Sequence, residues 1–67
     1  MFTASKSLEE SAIAVAIQML DEGKEIAPIK TPSGGAMLHV STDMARLRGA
    51  FMQLEVKGTV VYVGLLA

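Results

Sequence analysis

Ser41-Thr42-Asp43-Met44-Ala45-Arg46-Leu47-Arg48-Gly49-Ala50-Phe51-Met52-Gln53-Leu54-Glu55-Val56-Lys57-Gly58 runs straight into Thr59-Val60-Val61-Tyr62-Val63. How this stretch is read decides the fold. The first part reads as a helix reaching about Val56. Ser41 or Thr42 supplies an N-cap oxygen, and Asp43 complements the dipole of the first turn. Met44, Leu47, Ala50, Phe51 and Leu54 recur at helical spacing and make one narrow apolar face. Ala45, Gly49, Met52 and Val56 form a weaker stripe. Ala45 and Gly49 are small residues four apart, which lets another backbone approach closely. That approach offsets the ~1 kcal/mol a mid-helix glycine costs relative to alanine. Lys57-Gly58 ends the helix. Thr59 to Val63, dense in β-branched and aromatic residues, is the strongest strand signal in the chain, and Gly64-Leu65-Leu66-Ala67 can extend it. An apolar strand with an open edge is an aggregation hazard. It is therefore expected at the centre of a sheet, or paired with its copy in a second subunit.

Upstream, Ser7 and Glu10 have the spacing of a capping box, and a helix from Leu8 to about Glu22 is expected, with Gly23 at C′. Residues 1–6 are a lead-in, in which Phe2 folds back on the core or begins an edge strand. The apolar arc of the helix, which includes Ile13, Ile17 and Leu20, sweeps about half its circumference. A helix lying on one small sheet needs a stripe of only ~100° or slightly more. The surplus implies a further contact.

Residues 24–41 allow two readings. As strands, Glu25–Thr31 and Ala36–Ser41 flank the turn Pro32-Ser33-Gly34-Gly35. Ala36, Leu38 and Val40 then face the core, and Met37, His39 and Ser41 face outward or toward a partner. Pro28 lacks an amide donor, so the first strand must be an edge. As a helix, Thr31 is the N-cap and Pro32 the first helical residue. Gly34 and Gly35 oppose this by ~1 kcal/mol each, which favours the hairpin.

The chain has 67 residues, no cysteine, one histidine and a net charge of −1. That is one domain, residues 1–67. A chain this short buries only ~60% of its unfolded surface, and small scaffolds generally need a staple. Disulfides are excluded, and one histidine without cysteine makes a self-contained zinc site untenable. No cofactor or metal is expected. Association with another chain is the staple that remains, so a homodimer is expected. Its interface is placed on Ile13, Ile17 and Leu20, on the Ala45/Gly49 stripe, and on Val61 and Val63.

Glu9 and Glu10 precede the first apolar stretch, where a secretory signal carries Lys or Arg. The stretch is too short to span a bilayer, which takes ~20 apolar residues. The expectation is a cytoplasmic chain without a membrane partner.

Catalytic chemistry is sparse. His39 is the only conventional general base, and no acid sits at a pairing distance in sequence. Ser33-Gly34-Gly35 lacks the Gly-Lys-Ser/Thr of a phosphate loop and reads as a turn. The chain is therefore expected not to be an enzyme. Residues 1–33 carry Lys6, Lys24 and Lys30 against Glu9, Glu10, Asp21, Glu22 and Glu25. Residues 34–67 carry Arg46, Arg48 and Lys57 against Asp43 and Glu55. An anionic partner would meet the second half.

Leu54-Glu55-Val56-Lys57-Gly58, followed by Thr59-Val60, resembles the end of the recognition helix in the winged helix-turn-helix family. In that family the pattern Leu-Glu-x-Lys-Gly leads into a hydrophobic wing strand. Over about residues 31–61 the resemblance makes Thr31-Pro32-Ser33 the start of the preceding helix and Val40-Ser41-Thr42 the turn. It implies a dimeric DNA-binding transcriptional regulator whose recognition helix enters the major groove. Thr42, Arg46 and Arg48 would lie near DNA, and Lys57 near phosphate. Gly34-Gly35, and the lack of a second basic wing strand, depart from the family pattern.

The expectations are therefore an α+β fold with two helices packed on a small antiparallel sheet, in the order helix–hairpin–helix–strand, with a winged helix as the alternative. The expected function is a small regulator that binds nucleic acid, or alternatively an interaction module, an inhibitor or adaptor, that binds a partner protein through an apolar surface. The conformation of residues 31–40 discriminates the two. A helix there favours the regulator, and a hairpin favours the module.

Overall fold

The computed structural model describes residues 6–31 and 34–67. The expectations for Phe2 and for Pro32-Ser33 lie outside those residues. Among the described residues the elements are α1 (Lys6–Glu22), β1 (Ile26–Ile29), β2 (Leu38–Ser41), β3 (Leu47–Val56) and β4 (Thr59–Leu66), with a short 3-10 turn at Met44–Arg46 before β3. The strands form one antiparallel sheet in the order β1-β2-β4-β3. α1 packs on one face of it, so the fold is α+β.

α1 ends where the sequence predicts. Gly23 takes φ 75°, and the Lys24 amide donates to the Met19 carbonyl at 3.0 Å. This is the Schellman arrangement, which glycine at C′ makes easy. The start differs by a residue or two: Ser7 lies inside the first turn instead of preceding it. The inward face is Leu8, Ala12, Ala16 and Met19, all buried against Leu38, Val40, Val61 and Val63. Ala12 and Ala16 have no bulk to hold the helix off the sheet. Each larger side chain buried here stabilises the fold by about 1.5–3 kcal/mol.

β1 and β2 form the antiparallel hairpin, with Ile26 opposite Ser41 and Ile29 opposite Leu38, and residues 34–40 are not helical. Pro28 lies on an edge strand, as its missing amide requires. The loop is tied by the Gly34 amide to the Thr31 carbonyl (3.0 Å) and the Gly35 amide to Thr31 Oγ1 (2.9 Å). Two positions depart from the expected alternation. Ala36 lies ahead of β2 and is exposed, and Ser41 is fully buried. Ser41 Oγ accepts from the Asp43 amide at 3.0 Å and donates to the Asp43 carbonyl at 3.2 Å, so burial leaves its hydroxyl satisfied.

The main correction concerns residues 41–56, which form no α-helix. Asp43 caps only the 3-10 turn, its Oδ1 accepting from the Ala45 amide at 3.0 Å. The chain then enters β3, and the winged-helix architecture with its recognition helix is not what the structure contains. The physical reason lies in Met52-Gln53-Leu54-Glu55-Val56. This run alternates strictly between apolar and polar, the period of a strand with one face buried. Lys57 (φ 54°) and Gly58 (φ 77°) supply the two left-handed residues of a tight hairpin turn instead of a helix stop. Pairing β3 along β4 covers an edge of the most β-prone segment in the chain, which a helix would have left open. β4 is thereby central, as expected. The Ala45/Gly49 stripe dissolves: Ala45 sits in the 3-10 turn and Gly49 in β3.

Close backbone approach occurs at a different glycine. A Cβ on Gly64 would lie 2.7 Å from the Gly49 carbonyl carbon, closer still to its oxygen, and 3.2 Å from Ala50 Cα. Nothing lies within 4 Å of a Cβ built on Gly49. β3 carries register shifts between Leu47 and Gly49 and between Ala50 and Met52. The absence of a side chain at Gly64 is what lets this bulged half of β3 bend across β4.

Candidate interaction surface

The strand register places side chains on the sheet face opposite α1. Pro28, His39, Gly64 and Ala50 share one row across the four strands, and Ile26, Ser41, Tyr62 and Gln53 share the next. Val60 and Glu55 form a third pair. Strand alternation puts Met37, ahead of β2, and Leu66, at the end of β4, on the same face. No second α-helix among the described residues covers this face. It exposes large apolar side chains: Met37 is 44% exposed, Val60 37% and Leu66 45%. His39 and Tyr62 are half-buried diagonal neighbours between them.

His39 Nδ1 is buried and has no hydrogen-bond partner. A buried orphan nitrogen costs about 1–3 kcal/mol. No carboxylate orients the ring from that side, so the geometry of a carboxylate-supported base is not present at this atom. No group of three or more metal-ligating side chains occurs among the described residues. Shallow clefts occur among the described residues. One, of about 210 Å³, lies between α1 and β1 and is lined by Val15, Gln18, Met19, Glu22, Lys24, Ala27 and Pro28. Another, of about 340 Å³, lies at the β1–β2 loop beside Lys30, Thr31, Gly34, Gly35 and Met37. At the rim of the first, the Glu22 carboxyl is held below its ordinary value of 4.5, chiefly by a hydrogen bond from Gln18 and then by the hydrogen bond and charge of Lys24.

The residues expected near nucleic acid are not brought together. Thr42, Arg46 and Arg48 lie at one end of β3 and Lys57 at the other, roughly 23 Å apart along the paired length of β3 and β4. Arg46 is engaged by carboxylates, with Nη2 2.8 Å from Glu25 Oε2 and Nε 4.0 Å from Asp43 Oδ2. Lys57 Nζ is 2.6 Å from Asp21 Oδ1. These exposed pairs are each worth at most ~1 kcal/mol, yet a phosphate must displace them to bind there.

The residues expected at a dimer interface also divide. Val61 and Val63 are fully buried beneath α1 and belong to the core of a single protomer. Ala45 and Gly49 are exposed. Ile13 and Leu20 are half-buried at the rim of the core, and Ile17 is 38% exposed. Sequence reasoning missed the outer position of β3 in the sheet altogether; the alternation over 52–56 was the signal that reveals it.

No family model, curated protein or solved structure matches this chain. No helix among the described residues is long and apolar enough to cross a membrane.

Proposed function

We propose that the protein is a small non-enzymatic interaction module, an inhibitor or adaptor, that binds a partner protein through the sheet face opposite α1. The observation that carries this reading is the exposure of Met37, Val60 and Leu66 on that face, with Tyr62 and His39 between them. Apolar side chains gathered on one face, bordered by Gln53 and Glu55, make a surface suited to a protein partner. The hairpin over residues 26–41 favours this reading over the nucleic-acid-binding regulator. The engagement of Arg46 and Lys57 by carboxylates also favours it, because phosphate contacts dominate nucleic-acid affinity.

The test is quantitative capture from the source-cell extract, with and without nuclease, comparing wild type and Val60→Lys. The expected result is a nuclease-resistant protein partner recovered by wild type and lost with the variant. Retention of nucleic acid at low salt, abolished by Arg46→Ala with Arg48→Ala, would restore the regulator reading instead.

A further inference from the structure

Among the described residues the sheet has two outer strands, and they differ. β1 is four residues long and interrupted by Pro28, which has no amide proton to offer. β3 is ten residues long without proline, and its charged side chains are Arg48 and Glu55. The bulges of β3 lie before Met52, so its regular, proline-free half from Met52 to Val56 is the part that is a template for pairing.

The backbone directions along β3 follow from its turn. Lys57-Gly58 is a two-residue hairpin turn, so the flanking pair Val56–Thr59 exchanges both of its hydrogen bonds. Leu54 with Val61, and Met52 with Val63, repeat that pattern two residues at a time. Gln53 and Glu55 therefore turn their amides and carbonyls toward the outer edge. Their side chains are exposed on the face away from α1, whereas Leu54 is half-buried on the helix side.

α1 continues the same edge with an apolar flank. Val15, Gln18 and Glu22 line the cleft toward β1. At 100° per residue, Ile13, Ile17 and Leu20 fall on the other flank. The Asp21–Lys57 ion pair fixes that flank to the end of β3.

We propose that this edge joins a second copy of the chain, β3 pairing antiparallel with the partner's β3 across a two-fold axis at Leu54. The result is one eight-stranded sheet with both helices on the same face. The position of the axis follows from the chemistry. A two-fold axis normal to the sheet sets residues opposite each other whose numbers sum to twice that of the axial residue. The outward groups of residues 53 and 55 pair only if the axis lies at 53, 54 or 55. At 55, Glu55 faces its own copy, which is repulsive. At 53, Glu55 falls opposite Phe51, inside the bulge. At 54, each Gln53 lies opposite the partner's Glu55. Four backbone hydrogen bonds form, and each Gln53 amide can donate to a carboxylate. Leu54 then meets its copy in a non-hydrogen-bonded pair, with Cα atoms about 4.5 Å apart. Ile17 and Leu20 of the two helices close over that contact.

The demand on area is modest. A specific interface needs about 1,000 Å² in total. That is about 500 Å² per protomer, or roughly one-eighth of a surface of 4273 Å². The inference rests on the edge and the helix flank, and not on what binds the sheet face opposite α1.

Sedimentation equilibrium of the full chain tests it. Wild type is expected to dimerise at micromolar concentration. Gln53→Glu, which sets two carboxylate pairs face to face, should weaken the dimer at least tenfold at low salt, and Gln53→Lys should tighten it. Gln53 is exposed, so both variants should keep the monomer fold. The chain has no cysteine, so Leu54→Cys supplies a single thiol on the axis and should oxidise to a covalent dimer much faster than Val60→Cys. A monomer at 100 μM concentration (roughly a hundredfold above the expected range,) overturns the proposal. So does a dimer indifferent to the Gln53 variants, or Leu54→Cys cross-linking no faster than Val60→Cys.

Discussion

Two glycine-to-alanine substitutions, chemically identical and both in the β3–β4 pair, should have opposite outcomes. At Gly64 the added methyl would sit against the Gly49 carbonyl group, inside ordinary contact distance, and 3.2 Å from Ala50 Cα. The obstructing atoms are backbone, so no side chain can swing aside. β3 must move off β4 by about 1 Å, and overpacking of this kind costs about 1–3 kcal/mol. The upper half of that range applies, because the shift also disturbs the bulged pairing of Gly49 with Leu65 and Ala50 with Gly64. The whole fold is worth only about 3–10 kcal/mol at this length. Gly64→Ala should therefore lose about 2–3 kcal/mol in urea denaturation, a fall of roughly 10–20 °C in Tm. Gly49→Ala has open space around the new methyl and no positive φ to strain. It should lie within about 0.5 kcal/mol of wild type, on the stabilising side, because alanine lowers the entropy of the unfolded chain. Melts at one fixed protein concentration keep association constant between variants. If Gly49→Ala is the damaging change and Gly64→Ala the tolerated one, residues 47–56 pack as the close-contact helix of the sequence reading and the sheet described above is wrong.

Two further outcomes follow from single interactions. Ser41→Ala removes the hydroxyl that serves both the amide and the carbonyl of Asp43, in a fully buried position, and should cost about 1–3 kcal/mol by chemical denaturation. Gln18→Ala removes the leading cause of the lowered Glu22 carboxyl, so NMR titration should show the Glu22 midpoint rising toward 4.5. A carboxyl depressed in the folded state contributes stability above its unfolded value and loses it as pH falls through the folded value. The variant should accordingly be a little less sensitive than wild type to acidification below pH 4.5. An unmoved Glu22 midpoint removes Gln18 from that account.

The first helix was legible in the sequence because its stop is a local signal. Gly23 needs only its own left-handed φ and one bond to Met19. The β1–β2 hairpin was legible because Gly34-Gly35 disfavours the competing helix, and Thr59–Val63 because its β-branched density leaves little alternative. Residues 42–56 were not. Ser41, Thr42 and Asp43 carry real capping chemistry, but it serves a single 3-10 turn. Leu47, Ala50, Phe51 and Leu54 fit a helical period only because two bulges break the strand alternation before Met52. Lys57-Gly58 is ambiguous between a helix stop and a hairpin turn until β4 is known to fold back on the preceding residues. That is a non-local fact. The candidate surface followed the same reading: Arg46 and Arg48 were expected on a recognition helix, where the structure has a 3-10 turn and an edge strand.

The central claim is that the outer edge of β3 is a pairing edge, and amide hydrogen exchange reads it residue by residue. In dilute protein, Leu54 and Met52, whose amides bond to β4, should be protected, and Gln53 and Glu55 should exchange quickly. Raising the concentration through the micromolar range should slow exchange at Gln53 and Glu55 selectively. Protection of all four amides at every dilution would contradict the account, as would rapid exchange at Gln53 and Glu55 that concentration does not change.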